Sequence, residues 1–297
     1  MGLTLKDKYF FVLPIIFFYI FLTIYPFLYM IYISFFNYNL ASGANSTFSG
    51  LYNYLRIPLD PIAQGSVFFT IFITVSGLAA EILLGLAIAF LVLDARGEKF
   101  FRMAIIIPMM VPMAVSGMIW RMLYNTVYGP VNYFLSFFGV GKISWLGDPA
   151  YAPLALLITD IWQWTPFMFL IFYSGIKSIS PTLVESAMVD GASGFDLIRY
   201  IRIPLIKDLI VIGALLRTID LLKLFDTVYM ITGGGPGTST YSYSYLIYVV
   251  GFLTGINLGY ASALSVVLLI IVTVLVALLI KLLKIGQLLG LEVGEKA

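Results

Sequence analysis

Four ionisable side chains interrupt one apolar stretch in the last third of the chain: Arg217, Asp220, Lys223 and Asp226. Inside a membrane-spanning run such groups cost about 2.5–3.5 kcal/mol each on insertion scales and are functional candidates by default. At 100° per residue, Arg217, Asp220, Leu221 and Leu224 share one helix face, while Lys223 and Asp226 point elsewhere. That face is expected to line a polar pathway, and on this reading Arg217→Ala impairs transport more than assembly. The plainer account is an Arg217–Asp220 pair within one helix that serves packing. A second apolar stretch carries Asp160, Trp162, Gln163, Trp164, Pro166 and Phe167. Asp160, Gln163, Trp164 and Phe167 fall within an arc of about 100°. Aromatic faces stack on sugar rings, and amide and carboxylate groups hydrogen-bond hydroxyls, so this lining suits an uncharged polyol. The competing account is an interfacial belt of tryptophans. Glu81 is a lone acid in a third apolar run, and a buried subunit contact explains it better than proton carriage.

None of these groups forms a catalytic set. Histidine and cysteine are both absent, which removes the usual general base, disulfides and thiolate metal sites. Catalytic residues, metal ligands and bound cofactors are therefore expected to be none. Gly233, Gly234 and Gly235 lack the Lys that a phosphate-binding loop requires. The formal charge of +2 is too small to suggest nucleic acid.

These residues need helices in lipid to hold them. The chain is 61% hydrophobic and 11% charged over 297 residues, against about 25% charged in soluble domains. Six stretches are long enough to span a bilayer: about 10–36, 67–93, 103–124, 152–174, 209–231 and 261–283. The first is too long for a signal-peptide core and is read as a retained span. Prolines within them are tolerable where neighbours satisfy the freed backbone, and Pro108 and Pro112 should kink the third. The fold class expected is all-α, a polytopic membrane protein of about six helices. The division is 1–66, an N-terminal span and external loop; 67–284, a core with a cytoplasmic loop at about 176–208; and 285–297, a cytoplasmic tail. Lys6, Lys8, Arg96, Lys99, Arg102, Lys177, Arg199, Arg202, Lys207, Lys281 and Lys284 fall on one side. Arg56, Lys142 and Arg121 fall at the other. The positive-inside rule then makes both termini cytoplasmic. The outer loops 37–65 and 125–149 are rich in Asn, Ser, Gly, Pro and Tyr. Segment 241–253 reads equally as a half-inserted helix or a structured outer loop.

The cytoplasmic loop between the fourth and fifth stretches carries a pattern of its own. Ser180 and Pro181 start a helix, Leu183, Ala187 and Met188 form an apolar stripe, Glu185 and Asp190 are polar, and Gly191 permits a sharp turn. A second short helix is expected from about Gly194 to Ile203, bearing Phe195, Leu197, Ile198 and Ile201, with Pro204 breaking or bending the chain before the fifth stretch. Such an element is a solvated linker, an amphipathic anchor or a docking site for a cytoplasmic partner.

The loop resembles the signature of binding-protein-dependent ABC importer permeases: Glu-Ala-Ala, three residues, Gly, nine residues, Ile, one residue, Leu-Pro. Here the positions are Glu185, Ser186, Ala187, Gly191, Ile201, Ile203 and Pro204, with Ser186 replacing Ala and Ile203 replacing Leu. Thr232-Gly-Gly-Gly-Pro236 resembles the sugar-transport branch, and within it the maltose-type first permease of the carbohydrate uptake transporter-1 family. The resemblance implies a type I importer permease fold, from the first span to the sixth, without the large extra external domain that some maltose permeases carry. It implies a second permease subunit, two cytoplasmic ATP-binding subunits that use ATP and Mg, and an external sugar-binding protein. It makes Glu185, Ser186, Ala187, Met188, Asp190, Gly191, Ala192 and Phe195 the coupling element, and it places sugar contacts at Trp162, Gln163, Trp164 and Phe167. The cargo expected is a mono- or disaccharide. Glycerol phosphate is the alternative, because Arg217 could pair with an anion. An ion-coupled secondary transporter using Glu81, Asp160 or Asp220 leaves the loop spacing unexplained, and a membrane enzyme lacks its cluster of reactive groups.

Overall fold

The computed structural model describes residues 5–40 and 46–282, and helices dominate it. Lys284 and the tail 285–297 lie outside the described residues. The described residues divide into two units, 5–40 and 46–64 with 246–271, and 65–245 with 272–282.

In the first unit, helix α1 (Leu5–Tyr19) continues through a π-helical turn, Ile20–Ile24, into α2 (Tyr25–Ser34). Rings of Phe17, Phe21, Tyr25 and Tyr29 stack at four-residue intervals along it, with centroids 6.1–6.2 Å apart. Two short antiparallel strands follow, β1 (Phe36–Asn37) and β2 (Thr47–Phe48), and then α3 (Tyr52–Arg56). Asn53 ties this turn together, its amide donating to the carbonyls of Ser34 and Phe36 at 2.9 Å each. Asp60 caps the next helix by accepting from the Ile62 amide at 2.9 Å. Its second oxygen accepts from the Tyr260 hydroxyl at 2.9 Å, and Arg56 lies 4.5 Å over the Tyr260 ring. Gly259 is needed beside this cluster, because a Cβ there would stand 2.0 Å from the Phe36 carbonyl.

Helix α4 (Pro61–Val92) leads into the second unit. There α5 (Glu98–Met110), α6 (Met113–Leu123), α7 (Pro130–Ser136) and α8 (Ala152–Lys177) precede the loop helices α9 (Pro181–Val189) and α10 (Gly194–Asp196). A π-helical segment, Leu197–Arg202, runs into α11 (Ile203–Leu222), followed by α12 (Asp226–Ile231) and α13 (Tyr243–Tyr248). The last helix is α14 (Leu258–Leu282). Segment 241–253 is thus helical over Tyr243–Leu253, its second half wound as a π-helix. The core joins α4, α8 and α11 through Ala89, Met168, Phe169, Phe172 and Ile206. Small residues permit the approach, as they do generally between helices in lipid. A Cβ on Gly85 would lie 2.8 Å from Met168 Cβ, and one on Gly117 would lie 2.6 Å from Met230 Cβ.

Four helices among the described residues are long and apolar enough to cross a membrane: Val12–Ser34, Pro61–Val92, Ala152–Lys177 and Leu258–Lys281. The two remaining expected spans depart from simple rods. The third is not kinked but broken, its halves Glu98–Met110 and Met113–Leu123 meeting at 94°. Pro112 lacks an amide hydrogen and pushes Val111 into an extended conformation, with ψ at 127°. The fifth ends its regular helix at Leu222 and resumes at Asp226. Its four charges, Lys207, Asp208, Arg217 and Asp220, take α11 outside the composition of a simple span. Of the break or bend expected at Pro204, the chain shows no break. The π-helical segment lets the Ile203 amide donate to the Ile198 carbonyl, and Pro204 enters α11 in its first turn, where its missing donor is not needed.

Candidate functional site: a charged cavity and an exposed loop

Among the described residues Arg217 is one of the largest fully buried side chains, with 1% of its surface exposed. Its Nε donates to Glu81 Oε2 at 2.7 Å, and its Nη2 donates to Glu81 Oε1 at 2.7 Å and to Asp160 Oδ2 at 2.8 Å. Glu81 comes from α4, Asp160 from α8 and Arg217 from α11, so one guanidinium ties three helices. The fork geometry of arginine allows this, where an ammonium would not. Its plane also lies over the Trp164 ring, 4.8 Å from the centroid, and Trp164 meets Phe167 edge-on at 6.2 Å. Asp220 approaches only to 4.0 Å and keeps about half its side chain exposed. The intrahelical Arg217–Asp220 pair is therefore the weakest of Arg217's contacts. Glu81 is not lone, and its partner lies within its own chain.

Beside this cluster opens a cavity of about 340 Å³. Asp160, Trp164, Arg217, Asp220 and Leu224, from the two helix faces singled out in the sequence, are among the residues that line it. Lys223 and Asp226, which one continuous helix would point elsewhere, line it too, because α11 ends at Leu222 and α12 starts afresh at Asp226. Met113 and Phe225 complete the wall. Leu221 is fully buried in packing instead. Trp162 packs edge-on against Trp120 at 5.5 Å. Gln163 is buried with its amide donating to the carbonyls of Pro108 and Val111 at 3.1 and 2.7 Å. It satisfies the backbone freed where the third span breaks, and so its amide nitrogen is already engaged. The Glu81–Arg217 pair, 136 residues apart, was the residue-level signal sequence reasoning missed. Two charges of opposite sign in separate apolar runs were its trace.

The Gly-rich stretch after α12 is a tightly tied turn. Gly233 and Gly234 have positive φ, and a Cβ on Gly234 would overlap the Tyr241 ring at 2.3 Å. The Tyr245 hydroxyl donates to the Gly233 carbonyl at 2.8 Å.

The loop after α8 is built for presentation. Gly191 has φ of 91°, the Ala192 amide donates to the Ala187 carbonyl at 2.9 Å, and the Gly191 amide donates to the Met188 carbonyl at 3.0 Å. This is a Schellman closure, and it requires the left-handed residue that glycine supplies. Ser193 and Asp196 then pair through the Ser193 amide at 3.1 Å and hydroxyl at 2.5 Å. Those bonds, the hydroxyl's first, hold the Asp196 carboxyl below its usual range. Glu185, Ser186 and Asp190 face solvent, Ala187 and Ala192 are half-buried, and Met188 and Phe195 are exposed. Val189, which the sequence did not single out, is 88% exposed. The stem is braced: Lys177 pairs with Asp94 and Glu98 at 3.1 Å each, and the Tyr173 hydroxyl donates to Glu98.

A helical, membrane-embedded body with broken spans, a charged internal cavity and an ordered loop describes a membrane permease. The chain belongs to the family of binding-protein-dependent transport system inner membrane components, whose model matches residues 81–284. It is 40% identical over 207 residues, 68% of each chain, to the trehalose/maltose transport system permease protein MalF of Thermococcus litoralis. It is 37% identical over 248 residues to the sulfoquinovosyl glycerol transport system permease protein SmoG of Agrobacterium fabrum, covering 82% of this chain and 80% of that one. The structure superposes on a chain of a bacterial ABC transporter that imports alginate, with a TM-score of 0.80 over 93% of this chain and 94% of that one at 20% identity. That likeness establishes the permease fold.

Proposed function

We propose that this chain is a transmembrane permease subunit of an ATP-driven importer that moves a mono- or disaccharide across the cytoplasmic membrane. The observation that carries the reading is the loop from Pro181 to Asp196. It is closed by its own hydrogen bonds, yet it turns Met188, Val189 and Phe195 to solvent. Apolar groups held rigidly in water mark a contact surface. An ATP-binding subunit covers it, with Glu185 and Asp190 meeting partner cations. Two such subunits use ATP and Mg, a second permease subunit completes the pathway, and an external sugar-binding protein delivers the cargo. The relatives named for trehalose, maltose and sulfoquinovosyl glycerol support sugar as the cargo class. The cavity at Arg217 lies on the route in this reading. The positive-inside pattern puts the loop and both termini in the cytoplasm, the 67–284 core spanning between an N-terminal segment and a short tail.

Cross-linking tests it directly, because the chain has no cysteine of its own. Val189→Cys in the assembled complex should form a cross-link to an ATP-binding subunit whose yield changes on nucleotide binding. A cysteine there that reacts only with water-soluble reagents throughout turnover would remove the docking role.

A further inference from the structure

Helix α7 turns outward an aromatic face that neither the charged cavity nor the loop after α8 employs. Tyr133, Phe134 and Phe137 are exposed and fall within an arc of about 100°. Asn132 is buried on the other side of the helix and fixes the segment. Its amide donates to the Ile143 carbonyl at 2.8 Å, and its oxygen accepts from the Ile143 amide at 3.2 Å and the Trp145 ring nitrogen at 3.0 Å. Asn125 closes the turn before α7 by accepting from the Val127 and Tyr128 amides at 2.9 and 3.2 Å. The rings are thus held out by an ordered scaffold, and Tyr133 meets Phe137 edge-on at 5.0 Å.

Position, charge and chemistry name the medium that covers this face. α7 follows α6, the second half of the broken span, and precedes α8, a full span, so it lies where both leave the membrane. An exposed apolar stripe on α6, made by Val115, Met118, Ile119 and Met122, leads toward it. Residues 124–147 carry a single formal charge, Lys142. With Val127, Tyr128, Tyr133 and Ser136, Lys142 lines a cavity of about 450 Å³, so that Tyr133 belongs to both the face and the cavity. Aromatic rings with polar edges are the side chains of the membrane–water interface, and a cation beside them meets lipid phosphate. A face that released a soluble protein in every cycle would carry a polar rim. Within the arc on α7 the one polar group is the Tyr133 hydroxyl.

We propose that α7 is an interfacial foot: its aromatic face enters the headgroup layer, and the Lys142 cavity takes the phosphate of an anionic phospholipid. Lys142 supplies the charge, and the tyrosines of the same wall carry hydroxyl donors. Seated this way, α7 ties the end of α6 to the leaflet. The inference depends neither on the cargo nor on the ATP-binding partners.

The test uses Phe137→Cys, the single thiol of an otherwise cysteine-free chain, labelled with bimane in the importer assembled with cysteine-free partner subunits. The labelled complex is placed in nanodiscs containing phospholipids with a nitroxide on the headgroup, either anionic or zwitterionic, and is separately exposed to iodide in the water. Strong quenching by the nitroxide lipids and weak quenching by iodide are expected. The anionic nitroxide lipid should associate about fivefold more strongly than the zwitterionic one, the weight of one basic residue at an anionic surface. Lys142→Gln should bring that preference to about one. Phe134→Cys repeats the measurement from the same face, so that a defect at one position does not decide the result. Quenching by iodide alone overturns the proposal, and so does a label shielded from both quenchers, which would lie against protein. Protection from iodide that appears only when the external binding protein is added assigns the face to that protein and overturns it equally. A lipid preference that Lys142→Gln leaves unchanged removes the phosphate site.

Discussion

Arg217 shows how a charge can sit in an apolar run and still serve structure before it serves a ligand. Removing one partner from a buried ion cluster leaves the others unpaired and costs about 3–5 kcal/mol. Arg217→Ala should therefore lower both assembly and transport, seen as loss of the folded complex by fluorescence-detected gel filtration with a reduced melting temperature. This revises the expectation that transport suffers more than assembly. Arg217→Lys should restore little, since an ammonium cannot hold Glu81 bidentately and reach Asp160 as well. Normal assembly in Arg217→Ala would show the cluster to be dispensable. Asp220→Asn, at a half-exposed position, should leave assembly intact. The presence of Arg217, Asp160 and Glu81 in apolar stretches was legible in the sequence as a set of costly groups. Their mutual pairing was not, because no local rule links residues so far apart.

Elements here are defined as much by their breaks as by their helices. Gln163 holds the 94° turn of the third span through two carbonyls. Gln163→Leu leaves both without that donor, at about 1–3 kcal/mol for an unsatisfied buried group. The expected result is a lower melting temperature and faster proteolysis near Val111, and an unchanged melt would show that water replaces the amide. Gly191→Ala meets no neighbour within 4 Å, so its cost is conformational alone, roughly 1–2 kcal/mol for a left-handed L-residue. Coupled ATPase activity should fall while the membrane body keeps its melting temperature. The Ser193–Asp196 pair contributes order only while the carboxylate is charged. Because its pKa is lowered, that contribution is complete above the ordinary aspartate range and is lost as pH falls through the lowered value. Coupling should then show no dependence on this group above about pH 5. Prolines announced the start of α9 and a disturbance in the third span. Whether Pro112 kinks or breaks depends on Gln163, which lies in another helix.

At the scale of the whole chain, the claim open to test is orientation. In right-side-out membranes, a cysteine at Arg96, exposed in the loop between α4 and α5, should react with an impermeant maleimide only after permeabilisation, whereas one at Phe138, in the loop between α7 and α8, should react at once. The reverse pattern would invert the topology. Composition was enough to determine a helical membrane protein, because burial in lipid is a property of local stretches, and the spacing from Glu185 to Pro204 pointed to a permease through its resemblance to a family signature. The breaks in the third and fifth spans, the turning of Lys223 and Asp226 into the cavity, and the neutralisation of Arg217 were decided by tertiary structure alone. Each depends on which distant groups a helix meets, and a helical period specifies a face but not its neighbour.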